Sequence, residues 1–131
     1  MTSGNRLALA AGVLVPLLGL ALHVHIASKA AGGWSGFTLG LLLWSALPYV
    51  LCMLAAAVAK RPVHAAVGAA FCLVLDILTY RSVFVSPTSS TAALGLVFTP
   101  LANLLVAAPV GYIATALVLR LRGSKARQVP S

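Results

Sequence analysis

Four long apolar stretches dominate the chain, at about residues 7–26, 37–59, 63–85 and 91–121. A helix needs about 20 mainly apolar residues to cross a hydrocarbon layer roughly 30 Å thick, and each stretch meets that length. Membrane-spanning β-strands would alternate apolar and polar positions, and these stretches do not. The expected fold is an all-α integral membrane protein: one domain, a four-transmembrane-helix bundle. The fourth stretch is longer than one straight crossing needs and contains Pro100 and Pro109, so a kink, tilt or break is expected there.

Composition closes off the alternatives. Charged residues are 8% of the chain, against roughly 25% in ordinary soluble domains. A soluble domain could not cover its surface with so few, and a disordered chain would not be 61% hydrophobic. A single acidic residue, Asp76, excludes mechanisms that need two carboxylates, including glycosidase dyads and all-carboxylate cation cages. The connections are short: a small-residue loop from His25 to Gly36, the basic turn Lys60-Arg61-Pro62, and a hydroxyl-rich loop from Ser86 to Thr91.

The net charge of +8 is explained by where the basic residues sit. With the N-terminus inside, Arg6, Lys60, Arg61, Arg120, Arg122, Lys125 and Arg127 are cytoplasmic, and only Lys29 and Arg81 are outside. Lys and Arg flanking membrane helices stay on the cytoplasmic side, so an N-in/C-in topology follows, in the inner (plasma) membrane of a bacterium. The basic C-terminal tail has no aromatic residues to stack on bases. Anionic lipid headgroups are its expected partner, and nucleic acid is not. Arg6 followed by an apolar run and Ser28-Lys29-Ala30 has the outline of a secretory signal, but the run exceeds the usual 7 to 15 residues, so a retained helix is expected.

Small residues let membrane helices approach closely. Gly36 and Gly40 form a GxxxG, and the pairs Ala8–Gly12 and Ala107–Gly111 are similar. Packing within one chain is the plainer expectation and a dimer face the alternative. Trp34 suits a membrane interface, whereas Trp44 and Tyr49 are expected inside the bundle.

Asp76 lies about 19 Å along the third stretch, just past the middle of the layer. An intramembrane acid is costly, so it should face protein or water and carry either a proton or a partner. His23, Tyr80, Arg81, Thr99 and Asn103 all fall in the same outer half, and with Asp76 they define an expected polar pocket. Ser90 or Thr91 is an expected N-cap of the fourth helix, where backbone N–H groups could attract an anion. Cys52 and Cys72 lie at similar depth without a CxxC, and two buried free thiols are expected rather than a redox pair. His23 and His25 lie near the opposite face from His64, so no haem or metal set forms; no cofactor is expected. A triad of Asp76, His23 and a loop serine can be assembled only on paper, and no enzymatic activity is expected.

The function expected is that of a small accessory or binding protein, acting on another membrane protein. In size and layout the chain resembles small bacterial immunity proteins that neutralise membrane-active toxins, a likeness of architecture without a shared motif. The alternative is a small transporter or channel that assembles with itself and uses Asp76. It does not resemble small multidrug exporters, which carry an acid in the first helix, and the hydroxyl/Phe pattern of fluoride channels is not found.

Overall fold

A computed structural model describes residues 3–29, 34–87 and 94–126, with side chains to residue 124. The described chain is all-helical apart from its turns. Helix α1 is Ser3–Lys29, α2 Gly36–Ala57, α3 Pro62–Tyr80, α4 Gly95–Ala102 and α5 Ala108–Ala126. A π-helical turn, Arg81–Val85, extends α3, and a second one, Asn103–Ala107, joins α4 to α5. Four spans long and apolar enough to cross a membrane result: Ser3–Lys29, Gly36–Ala57, Pro62–Val85 and Gly95–Ser124.

Local chemistry sets the helix ends. The Ser35 hydroxyl accepts the Thr38 N–H at 3.2 Å, capping the start of α2. Pro62 opens α3 at the position where its missing N–H leaves no helical bond unmade. Lys60 between α2 and α3 has φ of 52°, the left-handed conformation that stops α2 at Ala57 rather than near residue 59. Helix α1 runs beyond the apolar stretch at both ends, because helical hydrogen bonding does not need apolar side chains. The irregularity expected around Pro100 and Pro109 is the widened turn between them, not a break. The Ser90/Thr91 cap, the anion site proposed with it, and Arg127 of the basic tail lie outside the described residues.

The spans run up and down, so Ser3, the α2–α3 turn and the end of α5 share one end, here the terminal end. The two longer connections share the other, the loop end. Helix α3 is central, packing along α1, α2 and α5. Its buried positions, Ala65, Gly68, Ala69, Cys72 and Asp76, form one stripe at three- and four-residue spacing.

Ile26 apart, the buried surface is built from small, polar and proline side chains. Among the described residues no leucine, valine or phenylalanine is buried, whereas Leu43 and Phe37 are among many exposed ones. A water-soluble bundle shows the opposite arrangement. Close approach takes the place of bulky packing. A Cβ on Gly111 would lie 2.7 Å from Gly68 Cα, and one on Gly12 would lie 2.9 Å from the Pro62 carbonyl oxygen. One expectation is corrected here: among the described residues Gly36 and Gly40 make no close packing, since a Cβ at either meets nothing within 4 Å. They lie on the exposed side of α2 beside Phe37, while its buried stripe follows Thr38, Ser45, Tyr49, Cys52 and Ala56.

Candidate functional site: a four-helix polar knot beside a cavity

Asp76 stands on the central helix, and each other span sends it a polar side chain. His23 of the first span places Nε2 at 2.9 Å from Oδ2. Tyr49 of the second donates its hydroxyl to the same oxygen. Asn103 of the fourth donates from Nδ2 to Oδ1 at 2.8 Å. The carboxylate is only 2% exposed, so in an apolar surrounding these contacts replace water as its solvation.

The neighbouring sequence makes the arrangement fit. Gly19 is one turn before His23 on the same face of α1, and a Cβ there would overlap the Tyr49 ring. The bare glycine therefore opens the space in which Tyr49 reaches Asp76. The His23 and Tyr49 rings then pack at a tilt of 56°, with centroids 5.7 Å apart. Asn103 begins the second π turn, and its carbonyl accepts the Ala108 N–H five residues on. Cys72 Sγ lies 3.8 Å from the same carbonyl, tying α3 to that turn. Turns of this kind recur where a helix must present a functional side chain. Asn103 Oδ1 is buried without a hydrogen-bond partner among the described residues.

The six residues expected to share a pocket separate into two groups. His23, Asp76 and Asn103 meet directly. Thr99 instead pairs with Thr79, hydroxyl to hydroxyl, at 2.9 Å. Tyr80 turns away from Asp76 and packs against His25 and Phe84, at 6.1 and 5.2 Å between ring centroids. Arg81 is exposed and makes no ion pair with Asp76. The five-residue offset of Arg81 places it on another side of α3, and the Tyr80 ring is taken up by the aromatic contacts with His25 and Phe84. Tyr49 is the participant that sequence reasoning left as a packing residue. The signal was present: a tyrosine deep in an apolar helix needs a partner for its hydroxyl. Trp44, expected inside, is 37% exposed and donates its indole N–H to the Val97 carbonyl at 3.0 Å.

Toward the loop end, a cavity of about 460 Å³ adjoins the knot. His23, Thr38 and Ser45 are its buried polar lining. Apart from the exposed Ser35 its remaining walls are apolar, with Leu41 and Leu42 of α2 and Leu96 and Val97 of α4 among them. His23 belongs to both features: Nε2 engages Asp76, and the Nδ1 edge is what remains for the cavity. Neither Nδ1 nor the Ser45 hydroxyl has a hydrogen-bond partner among the described residues. Cys52 and Cys72 are free thiols, both buried. Among the described residues no three His, Cys, Asp or Glu side chains gather as a metal set. No family model, curated protein or solved structure matches the chain.

Proposed function

We propose that this is a multi-pass membrane protein that works by non-covalent association, a binding or accessory protein whose receptive element is the cavity at its loop end. One observation carries the reading. Asp76 is held by three side chains from three other spans, while the polar groups left without partners, His23 Nδ1 and Ser45 Oγ, line a cavity. An acid so enclosed suits a structural clasp better than an exchanging or catalytic group. Neutralising or assembling with another membrane protein, as immunity-type proteins do, is the biological form we favour.

Insertion is supported by the four apolar spans and by the outward placement of large aliphatic side chains. The distribution of basic residues supports both termini in the cytoplasm and the loop end outside. A reporter fused after Ser131 checks that orientation: a cytoplasmic reporter should be active there and an exported one silent.

Native mass spectrometry from lipid nanodiscs tests the function. The binding reading expects the protein to leave the bilayer with a bound non-covalent mass or an unrelated subunit, and Ser45→Leu to lose it. A bare homodimer or ring would favour the second reading, a self-assembled transporter. That reading draws on the contact between His23 and the lone intramembrane acid, through which a proton could pass to the cavity.

A further inference from the structure

We infer that the cavity binds a lipid-phase alcohol: one hydroxyl head on a single apolar body, received between His23 and Ser45. The inference rests on the binding reading above and names the ligand class. The cavity is a built site, because two polar side chains less than a tenth exposed, His23 at 7% and Ser45 at 4%, line it with hydrogen-bonding capacity to spare. Polar atoms that no protein group engages and that open on a cavity offer their hydrogen bonds to whatever enters it.

The chemistry of the head follows from the proton shared with Asp76. With the proton on Nε2 and the ring neutral, Nδ1 accepts; with the ring protonated, or the Asp76 acid donating to Nε2, Nδ1–H donates. A hydroxyl satisfies either state, and it pairs equally with the Ser45 hydroxyl, itself donor and acceptor. A ketone or ester carbonyl only accepts, which leaves a bare Nδ1 unmatched. A carboxylate also only accepts, and no Lys or Arg lines the cavity to neutralise it.

The apolar body follows from the mouth. Phe37, Phe84, Leu94 and Val97 line the cavity and are 75%, 40%, 53% and 40% exposed, so its exposed lining is apolar apart from Ser35 and would meet hydrocarbon in a bilayer. A ligand therefore arrives from the lipid phase. About 460 Å³ falls in the range of single small-ligand pockets, which suits one apolar chain and not the paired chains of a diacyl lipid.

The test uses the full-length protein in phosphatidylcholine nanodiscs, with imidazole-¹⁵N-labelled histidine and four probes: farnesol, its methyl ether, farnesoic acid and dioleoylglycerol. Farnesol should bind saturably at one per chain and shift the His23 Nδ1 resonance. The methyl ether cannot donate, and together with Ser45→Ala should bind about tenfold weaker, the effect of one lost hydrogen bond. Tyr112→Phe, remote from the cavity, should bind as the parent does. An ether as tight as the alcohol, preference for the acid or the diacylglycerol, or a cavity that exchanges only water would each overturn the inference. The broader reading fails separately: if native mass spectra still show a bound mass lost in Ser45→Leu, the protein binds something, and only the ligand class is wrong.

Discussion

The two ends of the bundle are held by different means. Toward the terminal end, Gly12 meets Pro62, Gly68 meets Gly111, and Ala65, Ala69 and Cys72 fill the centre of α3. Packing there is backbone against backbone, and its buried polar groups make no side-chain link between spans: the Thr115 hydroxyl bonds its own helix and the Tyr112 hydroxyl has no partner among the described residues. Toward the loop end, one carboxylate gathers a side chain from each other span, and the helices part enough to leave a cavity. In the membrane setting proposed above, hydrophobic burial cannot assemble the helices, so such a bundle relies on close van der Waals contact and on interhelical hydrogen bonds. This chain uses one at each end. A closely packed end is stiff but closed, and a polar knot fixes the geometry while leaving room beside it.

Substitutions in the two halves sharpen the comparison, with stability read from reversible SDS unfolding in mixed micelles. The largest effect is expected from Asp76→Ala, which strands His23, Tyr49 and Asn103 together and should destabilise by about 2 to 4 kcal/mol. A loss below about 1 kcal/mol would mean that the knot does not hold the loop end. Gly111→Leu should follow at about 2 kcal/mol, because its first added atom meets the Gly68 backbone, which cannot rotate aside. Gly40→Leu, facing open space, should change stability by no more than a few tenths and so separates the packed glycines from the exposed pair.

The two tyrosines make the finest contrast. Tyr49 donates to Asp76, whereas the Tyr112 hydroxyl is buried with no hydrogen-bond partner among the described residues. Tyr49→Phe should cost about 1 kcal/mol, the scale of one hydrogen bond in a membrane bundle. Tyr112→Phe should be neutral or slightly stabilising, since it removes a polar atom that has no counterpart. Equal losses in the two variants would erase the distinction between the ends.

The number of spans was legible in the sequence because hydropathy over twenty residues is a strong signal with few competing readings. Asp76 was legible for a related reason: an acid in such a stretch is too unfavourable to be incidental. His23 and Asn103 followed from depth alone. Depth does not report angle, however. Tyr80 and Arg81 share Asp76's half of the bundle yet do not reach it: Arg81, five residues on, is angularly offset, and the Tyr80 ring packs against His25 and Phe84 instead. Tyr49 was harder to place because the polar residues that mark the inner face of α2, Thr38, Ser45 and Tyr49, are sparse in an otherwise apolar helix. Its place depends on Gly19, a residue on another helix whose role is to lack a side chain. Gly36 and Gly40 show the converse: a motif with the right spacing points outward when the buried stripe of its helix runs along Thr38, Ser45 and Tyr49.

The central claim is that one carboxylate couples spans through shared hydrogen bonds. A double-mutant cycle between His23→Ala and Asn103→Ala, which contact Asp76 from different spans, tests it most directly when repeated in the Asp76→Ala background. The account expects a coupling of about 1 kcal/mol with Asp76 present and none without it. Effects that add to within about 0.3 kcal/mol in both backgrounds would contradict it, and the loop end would then have to be held by something other than the knot.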